Sequence, residues 1–202
     1  MKDLILIRHG EAEGIGGWND YPLTALGKRQ AKLTGERLHQ LLNQKDYRFY
    51  SSDLVRARET AEIIGSFINK KTRLFKELRG IHHGIVSNTN PFVRQLPIKE
   101  SRFDWIPNDQ AESMRMFYQR VYSFMDHMDL EESTSVIVTH AKTLTCLVNW
   151  WLGITEVHHL NKIIYQSDFC SISYLTTNAN GYRKIERLND ISHLSGTNYE
   201  QS

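Results

Sequence analysis

The sequence has few of the features that would place it outside ordinary globular proteins. Only two cysteines occur among its 202 residues. Cys146 and Cys170 both lie in apolar stretches, which favours buried thiols in a reducing cytoplasm over a disulfide framework. The apolar run 144–152 is far shorter than the ~20 residues that cross a membrane. The run 4–7 is too short for a secretory signal, so we expect neither a leader nor a membrane anchor.

A strong charge of either sign is also missing. The 25 Lys and Arg against 23 Asp and Glu leave a net charge of +2, without the clustered basic face of nucleic-acid-binding proteins. A chain of 23.6 kDa suits one α/β domain with a full core and is short for two. We therefore predict one domain over residues 1–195 and a polar tail over 196–202. A loop or lid insertion is predicted at about 85–110, where three of the four prolines lie.

Three predicted strands each lead into a cationic or imidazole side chain. The pairs are residues 4–7 with Arg8 and His9, residues 46–50 with Arg56 in the helix that follows, and residues 136–139 with His140. The carboxyl ends of parallel strands meet at one edge of a sheet. These four side chains are therefore expected to converge. Arg58 lies about 200° further round the same helix as Arg56 and is expected to face solvent.

At these positions the chain resembles the histidine phosphatase (phosphoglycerate mutase-like) superfamily. The resemblance rests on three motifs in the family's order, Arg8-His9-Gly10-Glu11, Ser51-x-x-Leu54-x-Arg56-Ala57-x-x-Thr60-Ala61 and Val138-Thr139-His140. It implies an α/β three-layer sandwich, with a mostly parallel central sheet flanked by helices and one antiparallel edge. It also implies a phosphatase that acts on a small phosphomonoester.

The family's mechanism implies a role for each matched side chain. Arg8 and Arg56 would hold the phosphate, because a guanidinium is always charged and its planar fork matches phosphate oxygens. His140 would complete the cradle, best as a protonated donor. His9 would attack phosphorus through a neutral ring nitrogen, while a backbone carbonyl holds the other nitrogen. This chemistry needs no metal and no cofactor.

The proton donor is harder to place. In the family it is a carboxylate in a pattern resembling Leu-x-Glu-x-x-x-Gly-x-x-x-Gly, and here the match is displaced by one residue. Aligning on the glycines puts Lys76 at the acid position, whereas aligning on the acid selects Glu77. We predict Glu77 as the donor, with His82 and His83 as alternatives.

Further substrate contacts are expected from the loops around these motifs. The predicted residues are Gly10, Glu11, Gly16, Gly17, Ala141, where relatives commonly have glycine, and Glu112, which resembles part of a Gly-Glu-Ser segment of the family. The glycine-rich loop is not followed by Gly-Lys-Ser/Thr, which argues against a nucleoside-triphosphate site. We expect no nucleic-acid or membrane partner, and the sequence leaves monomer and dimer open.

Three functions are compatible with these motifs. The first is a small-substrate phosphatase of the kind that includes α-ribazole phosphatase, or one acting on phosphohistidine in proteins. The second is a phosphoglycerate mutase, although that branch typically has a longer chain and an Arg-x-Trp-Asn-like segment where this chain has Gly14 and Ile15. The third is a phospho-ligand-binding protein without turnover, suggested by the displaced acid and by Ala141.

Overall fold

The structure is a computed structural model that describes residues 3–14, 16–42, 46–84, 103–128 and 133–195. The predicted tail lies outside these residues, and so does most of the predicted insertion. The strands and helices are β1 Asp3–Arg8, α1 Ala25–Leu41, β2 Tyr47–Ser52, α2 Val55–Ile68, β3 Arg73–Phe75, α3 Met114–His127, β4 Thr134–Thr139, α4 Ala141–Leu152, α5 Val157–Leu160, β5 Ile172–Thr177 and β6 Arg183–Asp190.

Six strands form one sheet in the order β3-β2-β4-β1-β5-β6. The pairings among β3, β2, β4 and β1 are parallel, whereas β5 and β6 are antiparallel to their neighbours. The predicted mostly parallel sheet with one antiparallel edge is confirmed. The β1 and β4 strands are neighbours in register, with Arg8 opposite Thr139, so both strands end at the same height.

The central strands are buried on both faces, which explains their unbroken apolar sequence. Successive side chains of β1 point to opposite faces. Leu4 and Leu6 belong to one core cluster, packed with residues of α3 and α4. Ile5 and Ile7 belong to a second cluster, packed with residues of α1 and α2. The sheet is therefore the middle layer of three, as predicted.

Side-chain caps are present at two of the five described helices. Thr24 caps α1 by accepting a hydrogen bond from the Gly27 amide, and Ser113 caps α3. Ser52 and Asp53 precede α2 and are residue types that often cap helices, but the N-cap residue is Leu54, which makes no side-chain capping bond. The Asp53 carboxylate is paired with Arg79 instead.

Glycines let α1 approach the end of β1 closely. A Cβ atom on Gly10 would lie 2.6 Å from the Gly27 carbonyl oxygen, and one on Gly27 would lie 2.0 Å from the Glu11 carbonyl oxygen. Both distances are shorter than any real contact, so neither position has room for a side chain. None of the helices in the described residues is long and apolar enough to cross a membrane.

Candidate active site

A cavity of about 440 Å³ lies at the carboxyl ends of β1 and β4. Its size is within the range of small-molecule sites. It contains all four side chains that the strand ends were predicted to bring together. The lining residues are Arg8, His9, Glu11, Ala12, Gly14, Gly16, Gly17, Arg56, Gly80, Ile81, His83, His140, Ala141, Lys142 and Phe169.

The His9 imidazole is buried and held in one tautomer. Its Nδ1 lies 2.7 Å from the Gly10 carbonyl oxygen, which assigns the ring proton to Nδ1 and leaves the Nε2 lone pair available. Burial, followed by the positive charges of Arg56 and Arg8, lowers the pKa of His9 well below its usual value. The resting ring is therefore neutral, as a nucleophile requires.

Arg8 is fixed by the turn that precedes β5. Its guanidinium lies 3.9 Å from the centroid of the Phe169 ring and donates a 2.7 Å hydrogen bond to the Ser167 carbonyl. The Cys170 amide donates to the Arg8 carbonyl at 3.0 Å. Cys170 has a left-handed backbone with φ of 56°, an unusual conformation for a residue with a side chain. The turn therefore holds both the backbone and the cation at the end of β1.

Arg56 lies in the first turn of α2 and is only 4% exposed. Its guanidinium donates to the carbonyl oxygens of Asn19 at 2.7 Å and Gly17 at 2.8 Å. These bonds hold the glycine-rich loop against the side of the cavity that Arg56 lines. Burial lowers the pKa of Arg56, partly offset by Asp20. Arg58 instead has a half-exposed side chain 3.9 Å from Glu62, which agrees with its predicted outward direction.

His140 is the N-cap residue of α4 and packs beside His9, with ring centroids 5.0 Å apart. Its Nε2 lies 2.9 Å from Ser52 Oγ. Its Nδ1 is buried without a hydrogen-bond partner in the described part of the chain. Burial, then the neighbouring His9 and Arg56, lowers the pKa of His140 well below its usual value. The structure thus favours a neutral His140 ring, whereas the resemblance to the family implied a protonated donor.

Glu77 does not line the cavity, so its position does not support the predicted role of proton donor. It lies in the 3-10 turn Lys76–Leu78. Leu78 is fully buried and its carbonyl accepts a 2.7 Å hydrogen bond from the Thr139 hydroxyl, whereas Glu77 stays half-buried. His83, one of the two alternatives, does line the cavity. Burial, followed by the charge of Lys142, lowers the pKa of His83.

Glu112 was predicted to approach the substrate, but it lies outside the cavity lining and forms a half-buried ion pair with Arg120. Arg120 Nε lies 2.7 Å from one carboxylate oxygen and Nη2 lies 2.8 Å from the other. The same carboxylate accepts a 2.9 Å bond from the His82 amide. Because Glu112 is used in this way, it supports the wall of the cavity from behind.

The wall that Glu112 supports is the segment 79–84, which supplies Gly80, Ile81 and His83 to the cavity. The Gly80 carbonyl accepts two hydrogen bonds, from Trp18 Nε1 at 2.8 Å and from Arg120 Nη2 at 3.1 Å. We call residues 79–84 the roof segment. Its position depends on side chains that are distant in sequence.

Of the remaining residues that were predicted to contact the substrate, four line the cavity and one does not. Glu11, Gly16, Gly17 and Ala141 line the cavity. Gly10 does not, because it is packed against α1, and its amide donates to the Thr60 hydroxyl at 3.0 Å. Gly10 therefore positions His9 through its carbonyl.

Six lining residues were not predicted from the sequence, Ala12, Gly14, Gly80, Ile81, Lys142 and Phe169. Lys142 had a usable signal, since it comes two residues after His140 on a helix that begins at the cavity. Phe169 had none, because its contact with Arg8 is a property of the tertiary structure alone. Among the described residues, no group of three or more His, Cys, Asp or Glu side chains could hold a metal ion.

Comparison with known proteins agrees with this geometry. The family model of the histidine phosphatase superfamily (branch 1) matches residues 4–191. A mitochondrial serine/threonine-protein phosphatase, Pgam5, of Drosophila grimshawi is 30% identical over 96% of this chain and 64% of its own length. The chain thus spans somewhat less than two thirds of that relative.

Two further proteins match over nearly their full length. A protein of Yersinia pestis (strain Pestoides F) named "Probable phosphoglycerate mutase GpmB" is 30% identical over 96% of this chain and 95% of its own. The crystal structure of a phosphoserine phosphatase from Entamoeba histolytica in complex with 3-phosphoglyceric acid superposes with a TM-score of 0.75. It is 26% identical and covers 96% of this chain and 100% of its own. Motifs, fold, cavity and relatives agree, and the chain belongs to the histidine phosphatase superfamily, branch 1.

Proposed function

We propose that the protein is a metal-independent phosphomonoester hydrolase that acts on a small phosphorylated metabolite through a phosphohistidine at His9. The main support for the proposal is the tautomer and hydrogen bonding of the His9 ring. Its proton is held at Nδ1 by the Gly10 carbonyl, and its Nε2 makes no hydrogen bond within the described residues. Arg8 and Arg56 line the same cavity and supply the two fixed cations that a phosphate dianion requires.

In the first step, the Nε2 lone pair of His9 forms a bond to phosphorus and the bond from phosphorus to the ester oxygen breaks. The leaving oxygen takes the electron pair of that bond and a proton from the His83 ring, whose protonated form is favoured when the dianion binds. Arg8 and Arg56 stabilise the charge on the three oxygens that stay on phosphorus. Binding of a dianion next to His140 favours the protonated form of its ring, so His140 becomes a donor only when the site is filled.

In the second step, water attacks the phosphohistidine and the bond from nitrogen to phosphorus breaks. Inorganic phosphate leaves, and His9 regains its neutral ring. A base must take the proton of the attacking water. His83 lines the cavity, is neutral once it has given its proton to the leaving oxygen, and its lowered pKa favours that neutral form. It is better placed for this role than Glu77.

The test is phosphate release from p-nitrophenyl phosphate and from a panel of small phosphomonoesters, with acid-labile, alkali-stable phosphoprotein trapped by rapid quenching. We expect turnover and a trapped phosphohistidine in the wild type and neither in His9→Ala. His39→Ala is the matched control, because His39 is exposed on α1. Ordinary turnover by His9→Ala would contradict the proposal, and so would turnover without any phosphohistidine.

A comparison of alkyl and aryl phosphates as substrates identifies the residue that transfers the proton. An aryl leaving group departs without protonation, whereas an alkyl oxygen needs a proton. We expect His83→Gln to lower kcat/KM for an alkyl phosphate about 10²-fold more than for p-nitrophenyl phosphate, at the lower end of a typical general acid-base contribution. Glu77→Gln should change both substrates alike. The opposite result would restore Glu77 as the donor.

The main alternative is phosphoglycerate mutase chemistry, which the full-length match to the Yersinia pestis protein favours. A mutase must protect its phosphohistidine from water, whereas this cavity is lined on one side by Gly14, Gly16 and Gly17, which contribute no side chains to exclude solvent. Incubation with 3-phosphoglycerate decides between the two. Hydrolysis releases inorganic phosphate, and a mutase forms 2-phosphoglycerate faster than phosphate.

The likeness to the Entamoeba histolytica enzyme supports small substrates. That protein is named a phosphoserine phosphatase and holds 3-phosphoglyceric acid in its crystal structure. A cavity of about 440 Å³ has room for a metabolite of similar size.

A further inference from the structure

The charge of the cavity exceeds what phosphate recognition needs. Among the lining residues that the structure describes, three carry a fixed positive charge, Arg8, Arg56 and Lys142, and one carries a carboxylate, Glu11. The Glu11 carboxylate already accepts a 2.7 Å hydrogen bond from the Thr24 hydroxyl. The two arginines suffice for a phosphate dianion. Lys142 is therefore a third cation without an assigned task.

Lys142 has no anionic neighbour of its own. Within the described part of the chain it makes no ion pair, and burial lowers its pKa with no offsetting carboxylate. It lies in the first turn of α4, which begins at Ala141. The amide groups of that turn also favour negative charge. The residue as a whole is nevertheless exposed, so its ammonium group is accessible from the cavity to a ligand that brings a carboxylate.

The position of Lys142 relative to the reacting centre narrows the choice of ligand. His140, two residues earlier, packs against His9 at a ring-centroid distance of 5.0 Å. On the other side, the positive charge of Lys142 acts on His83 in the roof segment. Lys142 thus lines the same cavity as the phosphate cradle and the roof segment, and is available to contact the leaving group of a phosphomonoester held there.

From this arrangement we propose that Lys142 is a specificity-determining residue, which binds a carboxylate on the leaving group close to the ester oxygen. The preferred substrates are then phosphomonoesters of small hydroxy acids, with one anion held by Arg8 and Arg56 and a second by Lys142. The inference rests on the proposed phosphatase function and names the substrate class of the same cavity. A cavity of about 440 Å³ accommodates both anions of such a molecule.

The test uses two substrates of equal length, 3-phosphoglycerate and glycerol 3-phosphate, which differ by a carboxylate against a hydroxymethyl group. We expect the wild type to prefer the carboxylate by about tenfold or more in kcat/KM, the effect of one charge-assisted hydrogen bond. Lys142→Met removes the charge and keeps the length of the side chain. It should reduce that preference about tenfold, mainly through a higher KM for 3-phosphoglycerate.

The matched control is Lys32→Met, which removes an exposed lysine from α1 and should leave the preference unchanged. Two results would overturn the inference. One is a wild type that does not distinguish the two substrates, and the other is a Lys142→Met variant that loses activity on both substrates alike.

A binding measurement separates this inference from the proposed function. Calorimetric titration of the His9→Ala protein with the same two compounds needs no turnover. Tighter binding of 3-phosphoglycerate that disappears in His9→Ala/Lys142→Met supports the subsite, even if the wild type hydrolyses no phosphomonoester. Equal binding of both compounds would overturn the subsite, even if hydrolysis is fast.

Discussion

The floor and the roof of the cavity are built in different ways. The floor consists of Arg8, His9, Arg56 and His140, which are placed by the ends of adjacent parallel strands and by the helix after β2. The roof segment, residues 79–84, is an irregular stretch held by Trp18 and Arg120. The floor is fixed by the backbone of the sheet, whereas the roof is fixed by side chains together with a short backbone pairing to Ala111 and Glu112.

This difference separates chemistry from selectivity. The floor side chains His9, Arg56 and His140 are 7%, 4% and 5% exposed, so their geometry is set by packing before any ligand arrives. Preorganised charge of this kind stabilises a transition state without reorganisation. In the proposed reaction the roof and Lys142 would face the leaving group, which varies from substrate to substrate. Changes to the floor should therefore abolish the reaction, and changes to the roof should adjust it.

The largest effect is expected from His9→Ala. A covalent nucleophile has no substitute in the cavity, so kcat should fall by about 10⁴-fold or more, as for other enzymes that lose a nucleophile. The measurement is p-nitrophenyl phosphate turnover beside His39→Ala. A loss of only a few fold would mean that the floor does not carry the chemistry and that the distinction between floor and roof is wrong.

A smaller effect is expected from Arg56→Lys. A lysine keeps the charge but loses the planar fork and the two bonds to the carbonyls of Asn19 and Gly17. The value of kcat/KM should fall by about 10²-fold, in the range for removal of one transition-state donor.

Arg58→Lys is the matched control, two residues away on the same helix and paired only with Glu62 at 3.9 Å. Its kcat/KM should stay within about twofold of wild type, since exposed pairs contribute little. Equal losses in Arg56→Lys and Arg58→Lys would show that α2 acts as a whole and that the Arg56 guanidinium has no special place.

The buried floor histidines also predict a dependence of stability on pH. The pKa values of His9 and His140 in the folded protein are well below 6.5. The unfolded chain therefore binds more protons as the pH falls below about 6.5, and the free energy of unfolding falls with it. Each histidine should contribute about 1.4 kcal/mol per pH unit, a tenfold change in the unfolding constant.

Urea unfolding at pH 7.5, 6.5 and 5.5 measures this slope. His140→Gln should show a slope lower by one histidine's contribution, whatever its stability at pH 7.5, whereas His39→Gln should keep the wild-type slope. An unchanged slope in His140→Gln would mean that His140 is already protonated in the folded protein.

The floor residues were predicted well from the sequence because local sequence patterns determine where they lie. An apolar run that ends in Arg8 and His9, or in His140, specifies a buried strand with a functional side chain at its carboxyl end. Parallel strands then bring these ends together, and the three-layer sheet results from the same pattern. Thr24 was likewise predictable as a cap, since its hydroxyl needs only the Gly27 amide three residues later.

The roof segment was predicted poorly because the residues that hold it in place are distant from it in sequence. Glu112 was assigned to the substrate, but its partners are Arg120 and the His82 amide, which no local pattern reveals. The proton donor was assigned to Glu77 by a displaced motif, although the buried residue of that turn is Leu78. Lys142 was overlooked because a lysine in the first turn of a helix is ordinary until the cavity beside it is known.

The smallest effect is expected from Trp18→Phe, which probes the roof alone. The indole N–H donates to the Gly80 carbonyl, and the ring lies 4.6 Å from the Arg79 guanidinium carbon. Phenylalanine keeps a ring there and removes only the hydrogen bond. Because Arg120 still donates to Gly80, the roof should loosen without detaching, and kcat/KM should fall about threefold, the effect of part of one neutral hydrogen bond.

Trp150→Phe is the control, since it removes an equivalent indole bond, to Asp126 at 2.7 Å, outside the cavity lining. The sharper readout is the ratio of activities on 3-phosphoglycerate and glycerol 3-phosphate. If the roof sets selectivity, Trp18→Phe should change this ratio while p-nitrophenyl phosphate turnover changes less. A uniform loss on all three substrates would instead place the Gly80 carbonyl with the floor, as part of the machinery that positions the reacting phosphate.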